Sequence, residues 1–478
     1  MATPLPLVER LLAPPVALIN QVLWDYVLVY GLLAVGVYFT VRLGFIQVRH
    51  FPHMLRIVQP GRGGDANGIS PFQALATSLA SRVGTGNIAG VAIALTVGGP
   101  GALFWMWCTA ALGMATAYAE STLAQLYKER DEAGQYRGGP AYYMARGLKS
   151  RWMGTAFALS LLLTYGAIFS SVHANAISGA LGEAFGATPA LVAVALVTLT
   201  AVIIFGGLRR IARFAEWVVP FMSIGYLLLA LWVVATNFAD VPGVMLLVVR
   251  SAFGLDAAAG GMLGAISVAM LQGVKRGLYS NEAGMGSAPN IAAAATPVPH
   301  HPSSQGLVQA LGVFIDTLLI CSATGFVILL SGVLGGEGDG VLLTQRAMSV
   351  FFGDAGTYFV AVALFFFAFT TIIGNYSYAE NNLLYLGGGR AGLLVLRLVT
   401  LAVIVWGVFS KVQMVWDAAD AAMAVMASIN LVAIVLLSGV VVKLTRDYDR
   451  QLREGRAPAF IADAHPEFGA GVDRTIWK

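Results

Sequence analysis

Residues 81–92 read SRVGTGNIAGVA, and Gly84-x-Gly86-x-x-Ala89 within them has the glycine spacing that lets a backbone approach a pyrophosphate. That chemistry also needs a strand leading in, a helix leading out and an acidic residue about 20 positions on to hold the ribose. The approach here, SPFQALATSLAS, is rich in Ala, Ser and Leu and reads as helix. The segment about 20 residues beyond Gly86 is FWMWCTAA, with no carboxylate. The missing context argues against a nucleotide site. A second polar, glycine-rich stretch, KRGLYSNEAGMGSAPN at 275–290, also interrupts a long apolar run. Glycines so placed can bare backbone N–H and C=O groups to an ion or a small zwitterion, or simply let helices pack closely.

The elements that carry these stretches follow from composition. Of 478 residues, 58% are hydrophobic and 11% charged, whereas an ordinary soluble domain has roughly 45–50% and 25%. Apolar runs long enough to cross a ~30 Å hydrocarbon core recur throughout, at 22–42, 70–97, 101–127, 152–181, 189–205, 213–236, 260–295, 306–335, 355–385, 392–410 and 416–442. The expected class is an all-α integral membrane protein with eleven transmembrane helices. Alternating sides across these spans puts 22 Lys and Arg on one face and 4 on the other, with Arg82, Lys275 and Arg276 inside spans. By the positive-inside rule the N-terminus is outside and the C-terminus cytoplasmic. The net charge of +4 is spread over five segments and predicts no nucleic-acid partner. Cys108 and Cys321 lie in apolar spans, with no ligand spacing for a metal. The start of the chain lacks a basic region before an apolar stretch, so no cleavable signal peptide is expected.

Three regions result: 1–66, an N-terminal helix and the polar cytoplasmic connection 57–68; 67–445, a ten-helix core; and 446–478, expected to be a solvated cytoplasmic tail. The two interrupted spans stand five apart. Arg82-x4-Asn87 is echoed by Arg276-x4-Asn281, and the offset of 194 residues lays the third to sixth spans over the eighth to eleventh. Two halves of five helices, each opening with a broken helix, must insert with opposite topology. Backbone freed at such breaks cannot face lipid, where each unsatisfied group costs several kcal/mol. In inverted-repeat transporters, helix N-termini there meet an anionic substrate group and unwound carbonyls hold a cation.

SRVGTGNIAGVA and GLYSNEAGMGSAPNIAAAA resemble the signature stretches of the alanine or glycine:cation symporter family, the sodium:alanine symporters. TTIIGNYSYAENN at 370–382 and Trp416-Asp417-x-x-Asp420 with Asn430 add to the likeness. The resemblance implies a 5+5 inverted-repeat fold preceded by one extra helix. It implies that the Thr85 and Gly86 amides bind the substrate carboxylate, and it places Asn87, Ser280 and Asn281 beside the substrate. It further implies a sodium ion held by the carbonyls of Ala80 and Val83 with Thr370 and Thr371. Read alone, such threonines equally bond back to their own turn. His173 stands where glutamine is expected in many members, and Asn375 where some have tryptophan. Both are expected to face the site, and asparagine in place of tryptophan is expected to make it roomier and more polar.

The expected protein is not an enzyme. It is a secondary active transporter of the cell membrane, in bacteria the inner membrane, that imports a small neutral amino acid with sodium by alternating access. Alanine or glycine is the default substrate, with serine, asparagine or glutamine as alternatives and proton coupling as the rival mechanism. Arg82, Lys275 and Arg276 either close a cytoplasmic gate against Glu282 or form static pairs. Glu380 and Asp420 pose the same choice. Trp24, Tyr26, Trp105, Trp107, Trp232 and Trp416 are expected as interfacial anchors.

Overall fold

The computed structural model describes residues 5–58, 67–206, 208–255, 262–335, 340–469 and 471–478. Most of the polar connection at 57–68, namely 59–66, lies outside the described residues. The first elements are α1 (Ala13–Arg42), a split pair α2 (Pro71–Arg82) and α3 (Gly86–Gly98), α4 (Gly101–Leu126), α5 (Arg151–Phe185), α6 (Pro189–Ile204), α7 (Arg210–Thr236) and α8 (Val241–Ala252). A second split pair follows, α9 (Met262–Asn281) and α10 (Pro289–Ala294). The rest are α11 (Pro302–Ser331), α12 (Gly340–Phe352), α13 (Asp354–Tyr385), α14 (Arg390–Phe409), α15 (Val412–Leu436) and α16 (Ser438–Arg453).

Among the described residues eight helices are long and apolar enough to cross a membrane: α1, α4, α5, α7, α11, α13, α14 and α15. The other three expected crossings fall on the two split pairs and on the shorter α6.

Each break has a local cause. Helix α2 starts on a capping box, in which Ser70 accepts from the Gln73 amide and the Gln73 side chain accepts from the Ser70 amide, both at 3.1 Å. It stops where Val83 turns extended (φ −74°, ψ 92°), and helix resumes at Gly86. After Asn281 the chain takes left-handed φ at Glu282 (59°), Gly284 (90°) and Gly286 (83°), a sequence of conformations no helix can span.

The two pairs run in opposite directions. Ile69, just before α2, is bridged to the residues just after α10: its amide donates to the Ala294 carbonyl (3.1 Å), and its carbonyl accepts from Thr296 (2.9 Å). At the other end Gly98, the last residue of α3, lies so close to α9 that a Cβ would come within 2.9 Å of Gln272 Cβ. The first half of one pair thus lies beside the second half of the other, which is the inverted repeat.

Three expectations are corrected. Helices α8 and α12 were not foreseen; they lie between crossings, where the Ser251 hydroxyl of α8 accepts from the Gly101 amide (3.0 Å) and the Thr344 hydroxyl of α12 donates to the Ile88 carbonyl (3.1 Å). Trp24 and Trp416 are not interfacial: both are buried, and Trp24 Nε1 donates to the Asp420 carbonyl (3.0 Å). Finally, the tail is not a solvated extension. Val441, Leu444 and Tyr448 on one face of α16 are buried while Lys443, Arg446 and Arg450 face out, and Phe460 and Trp477 beyond it are buried too.

Candidate substrate and cation site

At the first break the glycines permit close approach. A Cβ on Gly84 would lie 2.4 Å from Thr371 Oγ1, and one on Gly86 would lie 3.1 Å from Ser280 Cα and 3.0 Å from Tyr279 Cδ1. The two broken segments and α13 therefore meet at one point. There Thr371 Oγ1 reaches the carbonyls of Ala80 (3.0 Å) and Val83 (3.4 Å) as well as its own-turn carbonyl of Phe367 (2.9 Å). Hard oxygens converging beside freed carbonyls are what a sodium ion takes as ligands. The Thr370 hydroxyl instead donates to Phe367 (2.9 Å), within its own helix.

The other residues singled out by sequence surround the same point. His173 of α5 is buried, with Nδ1 hydrogen-bonded to Thr85 Oγ1 and Cε1 facing Gly84. Its Nε2 has no partner among the described residues. Asn375, one turn below Thr371, accepts from the Ser81 hydroxyl through Oδ1 (3.2 Å), leaving Nδ2 unpartnered. Asn281 accepts from the Ala283 amide (3.0 Å), and its Nδ2 is unpartnered as well. Unpaired buried polar groups are costly, and the His173 ring nitrogen with the Asn375 and Asn281 side-chain amides leaves hydrogen bonds for a polar guest to make. The Thr85 and Gly86 amides stand at the start of α3, where the first N–H groups of a helix have no partner within it.

Asn87 and Ser280 are both tied to one buried carboxylate. Asn87 accepts from the Gly84 amide (2.8 Å) and donates to Asp316 Oδ1 (2.7 Å), while Ser280 donates to Asp316 Oδ2 (2.7 Å). Asp316, which sequence reasoning passed over, is the anchor of the first break. Cys321 lies with them, 3.3 Å from Asn87 Nδ2 and 3.1 Å from Ser280 Oγ. Glu120, also missed, holds the second break: it accepts from the Gly284 and Gly286 amides (3.2 Å each) and from Asn430 (2.8 Å). Both sit singly in apolar runs; their rarity in such runs was the one available signal.

The charged pairs sort differently from the gate expected on Glu282. Arg276 makes a bidentate pair with Asp420 (3.0 and 2.8 Å) and lies over the Trp416 ring at 4.6 Å; Lys275 reaches the same carboxylate at 3.6 Å. Glu282 is held by the hydroxyls of Ser81 (3.1 Å), Ser287 (2.7 Å) and Tyr378 (3.4 Å), and Arg82 donates to the Gln309 carbonyl (3.2 Å). Glu380 lies 3.8 Å from Arg137. Lys275 and Arg276 lie seven and six residues before Glu282 in the chain, and both engage Asp420 instead.

An aromatic layer separates the break from a cavity of about 410 Å³ lined by Ala89, Asn175, Gly340, Val341, Val408 and Trp416. Trp416 packs on Tyr279 (ring centroids 4.7 Å apart), and Tyr279 packs on Phe169 (4.8 Å). Tyr279 is the same ring that Gly86 abuts.

These features define a membrane transporter built on an inverted repeat with paired broken helices. The solved structure of MhsT in complex with L-phenylalanine shares this fold, with a TM-score of 0.55 and 16% identity over 79% of this chain and 90% of that one. The model of the sodium:alanine symporter family matches residues 9–462, and the chain belongs to that family. It is 47% identical over 457 residues to the probable sodium/glutamine symporter GlnT of Bacillus subtilis, covering 95% of this chain and 94% of the relative. It is 45% identical over 462 residues to the putative sodium/proton-dependent alanine carrier protein YrbD of the same organism, covering 93% and 94%. The protein is thus a multi-pass membrane amino acid symporter.

Proposed function

We propose that this symporter imports a small neutral amino acid, alanine or glycine, together with sodium by alternating access. It crosses the inner membrane eleven times with its N-terminus outside. The observation that carries the sodium assignment is Thr371 Oγ1 turned toward the Ala80 and Val83 carbonyls beside the first break. The substrate carboxylate lies against the Thr85 and Gly86 amides at the start of α3, where the helix dipole favours an anion.

A second reading concerns the substrate side chain. The unpartnered His173 Nε2 and Asn375 Nδ2 favour a guest with a hydroxyl or amide, which makes serine, asparagine or glutamine the alternative cargo. The name of the GlnT relative accords with it.

Uptake of labelled alanine into proteoliposomes, with a sodium gradient, a proton gradient or neither, tests the coupling ion directly. Competition by unlabelled glutamine, asparagine and serine ranks the substrates. Uptake driven by the proton gradient alone overturns sodium coupling.

A further inference from the structure

The tail beyond α16 folds back onto the ends of the broken helices. Gln451 exchanges two hydrogen bonds with the backbone of Ala459 (both 2.9 Å), which turns the chain, and the Phe460 amide then donates to the His300 carbonyl (2.9 Å). The Ala462 amide donates to the Trp477 carbonyl (3.0 Å), closing the tail on itself. Phe460 sits among Trp477, Phe468 and a stacked His465, at centroid distances of 5.6, 5.7 and 5.0 Å. It is 0% exposed and Trp477 is 1% exposed. Such a small aromatic core is unexpected for a stretch with so many charges.

What this core grips matters more than its size. The Trp477 ring lies 5.2 Å from Lys128 Nζ, and Lys128 donates to the Ala295 carbonyl at 2.9 Å. Ala295 and its neighbours carry the bridge to Ile69, the last position but one before α2. His301, next to the gripped His300, faces Asp447 of α16 at 3.3 Å. A continuous chain of contacts therefore runs from Trp477 and Phe460 through Lys128 and His300 to the junction where the start of α2 meets the end of α10. Any motion that parts α2 from α10 on this face must break that junction or drag the tail with it.

We propose that residues 454–469 and 471–478 form a strap that holds the tail-side gate closed and releases it when it undocks. This rests on the reading of the protein as an alternating-access transporter, and it takes the bridged junction of α2 and α10 as the gate on the tail side. The strap adds nothing to the substrate site, so its loosening changes the rate of opening and not the chemistry of binding.

The test has a locking arm and a releasing arm, both in the full chain with Cys108 replaced by alanine and the fully buried Cys321 left in place. For the lock, His300→Cys with Phe460→Cys places two thiols on segments joined by a backbone hydrogen bond, within the reach a disulfide requires. Oxidation should stop alanine uptake in proteoliposomes, and reductant should restore it. For the release, Trp477→Ala in an Ile69→Cys background should raise the rate of Ile69→Cys modification by an impermeant maleimide applied from the tail side, on the order of tenfold for a modest shift of a two-state equilibrium. Uptake that continues at the reduced rate after cross-linking is confirmed by mass shift overturns the strap. So does a modification rate unchanged by Trp477→Ala. If Trp477→Ala does not insert, the lock decides alone. If the reduced parent takes up no amino acid under any gradient, the transport reading fails, while the accessibility arm still reports on the strap.

Discussion

Replacing Thr371 by valine keeps the side-chain shape and removes one oxygen. That oxygen is 3.0 Å from the Ala80 carbonyl, 3.4 Å from that of Val83 and 2.9 Å from that of Phe367. With a cation bound, the hydroxyl becomes a ligand instead of a donor to the first two. A polar contact to a charged group is worth ~1.5–3 kcal/mol, so apparent sodium binding should weaken roughly 10- to 150-fold. Loss of the donor to buried carbonyls also costs about 1 kcal/mol of stability, within the range for a single hydrogen bond. Folding must therefore be followed alongside, by size-exclusion profile and thermal melt in detergent. The assay is alanine uptake against sodium concentration at fixed alanine. Thr371→Ser retains the oxygen and should behave as the parent. Thr370→Val loses a hydroxyl bonded within its own helix and should shift the sodium curve less than Thr371→Val. A Thr371→Val protein that folds, transports and shows the parental sodium dependence refutes the cation site.

Cysteines at Ala133 and Arg346, both exposed, should react with an impermeant thiol reagent from opposite sides of the membrane, since 128–151 is assigned to the cytoplasm and 335–346 to the outside; reaction from one side only defeats the eleven-span topology. Asp420→Asn leaves the buried Arg276 and the half-buried Lys275 without their shared carboxylate, and breaking a buried pair typically costs ~3–5 kcal/mol, so the melting temperature should fall clearly; an unchanged melt removes the pair from the stability of the fold. Asn375→Leu deletes one unpartnered donor at the break and should weaken competition by glutamine and asparagine more than uptake of alanine, whereas His173→Gln, which keeps a polar tip, should preserve transport; equal losses for all substrates in Asn375→Leu place that residue outside the pocket.

The architecture was legible from sequence because its signals are local. Apolar runs of crossing length and the glycines at both breaks are each read within a single segment, and the offset of 194 residues exposes the repeat. Thr371 was named through family likeness, and nothing in its own turn distinguishes it from Thr370. The anchors gave no signal beyond a lone carboxylate in an apolar run. Asp316 acts on Asn87 across 229 residues, and Glu120 acts on Gly284 across 164. Each stands alone in its own segment, and only the folded chain supplies its partner. Trp416 and Trp24 misled because an aromatic near a span end suits the interface, while here burial against Tyr279 and Asp420 decides. The tail misled because its charges outnumber its aromatics, and Phe460, Phe468 and Trp477 have no regular spacing to betray a shared core.

The two missed carboxylates also say how the breaks are held open. Glu120 lies on α4, the helix after the first split pair, yet it binds the amides of the second break. Asp316 lies on α11, the helix after the second split pair, yet it anchors Asn87 and Ser280 where the first break meets the second. Applying the repeat offset of 194 residues to Asp316 lands two positions from Glu120. Each half thus contributes a carboxylate to the other's unwound segment, and neither break is held solely by its own half. An unwound backbone at membrane depth persists only where something satisfies its polar groups. With Glu120 accepting from the amides of Gly284 and Gly286 and Asn430 donating to the Gly284 carbonyl, the second break is closed to a guest at those positions. In the first break Asp316 is reached through side chains, so the Thr85 and Gly86 amides, the Ala80 and Val83 carbonyls and the free edges of His173 and Asn375 are left for one. The asymmetry between otherwise equivalent halves is what localises the candidate site to Gly84-Thr85-Gly86.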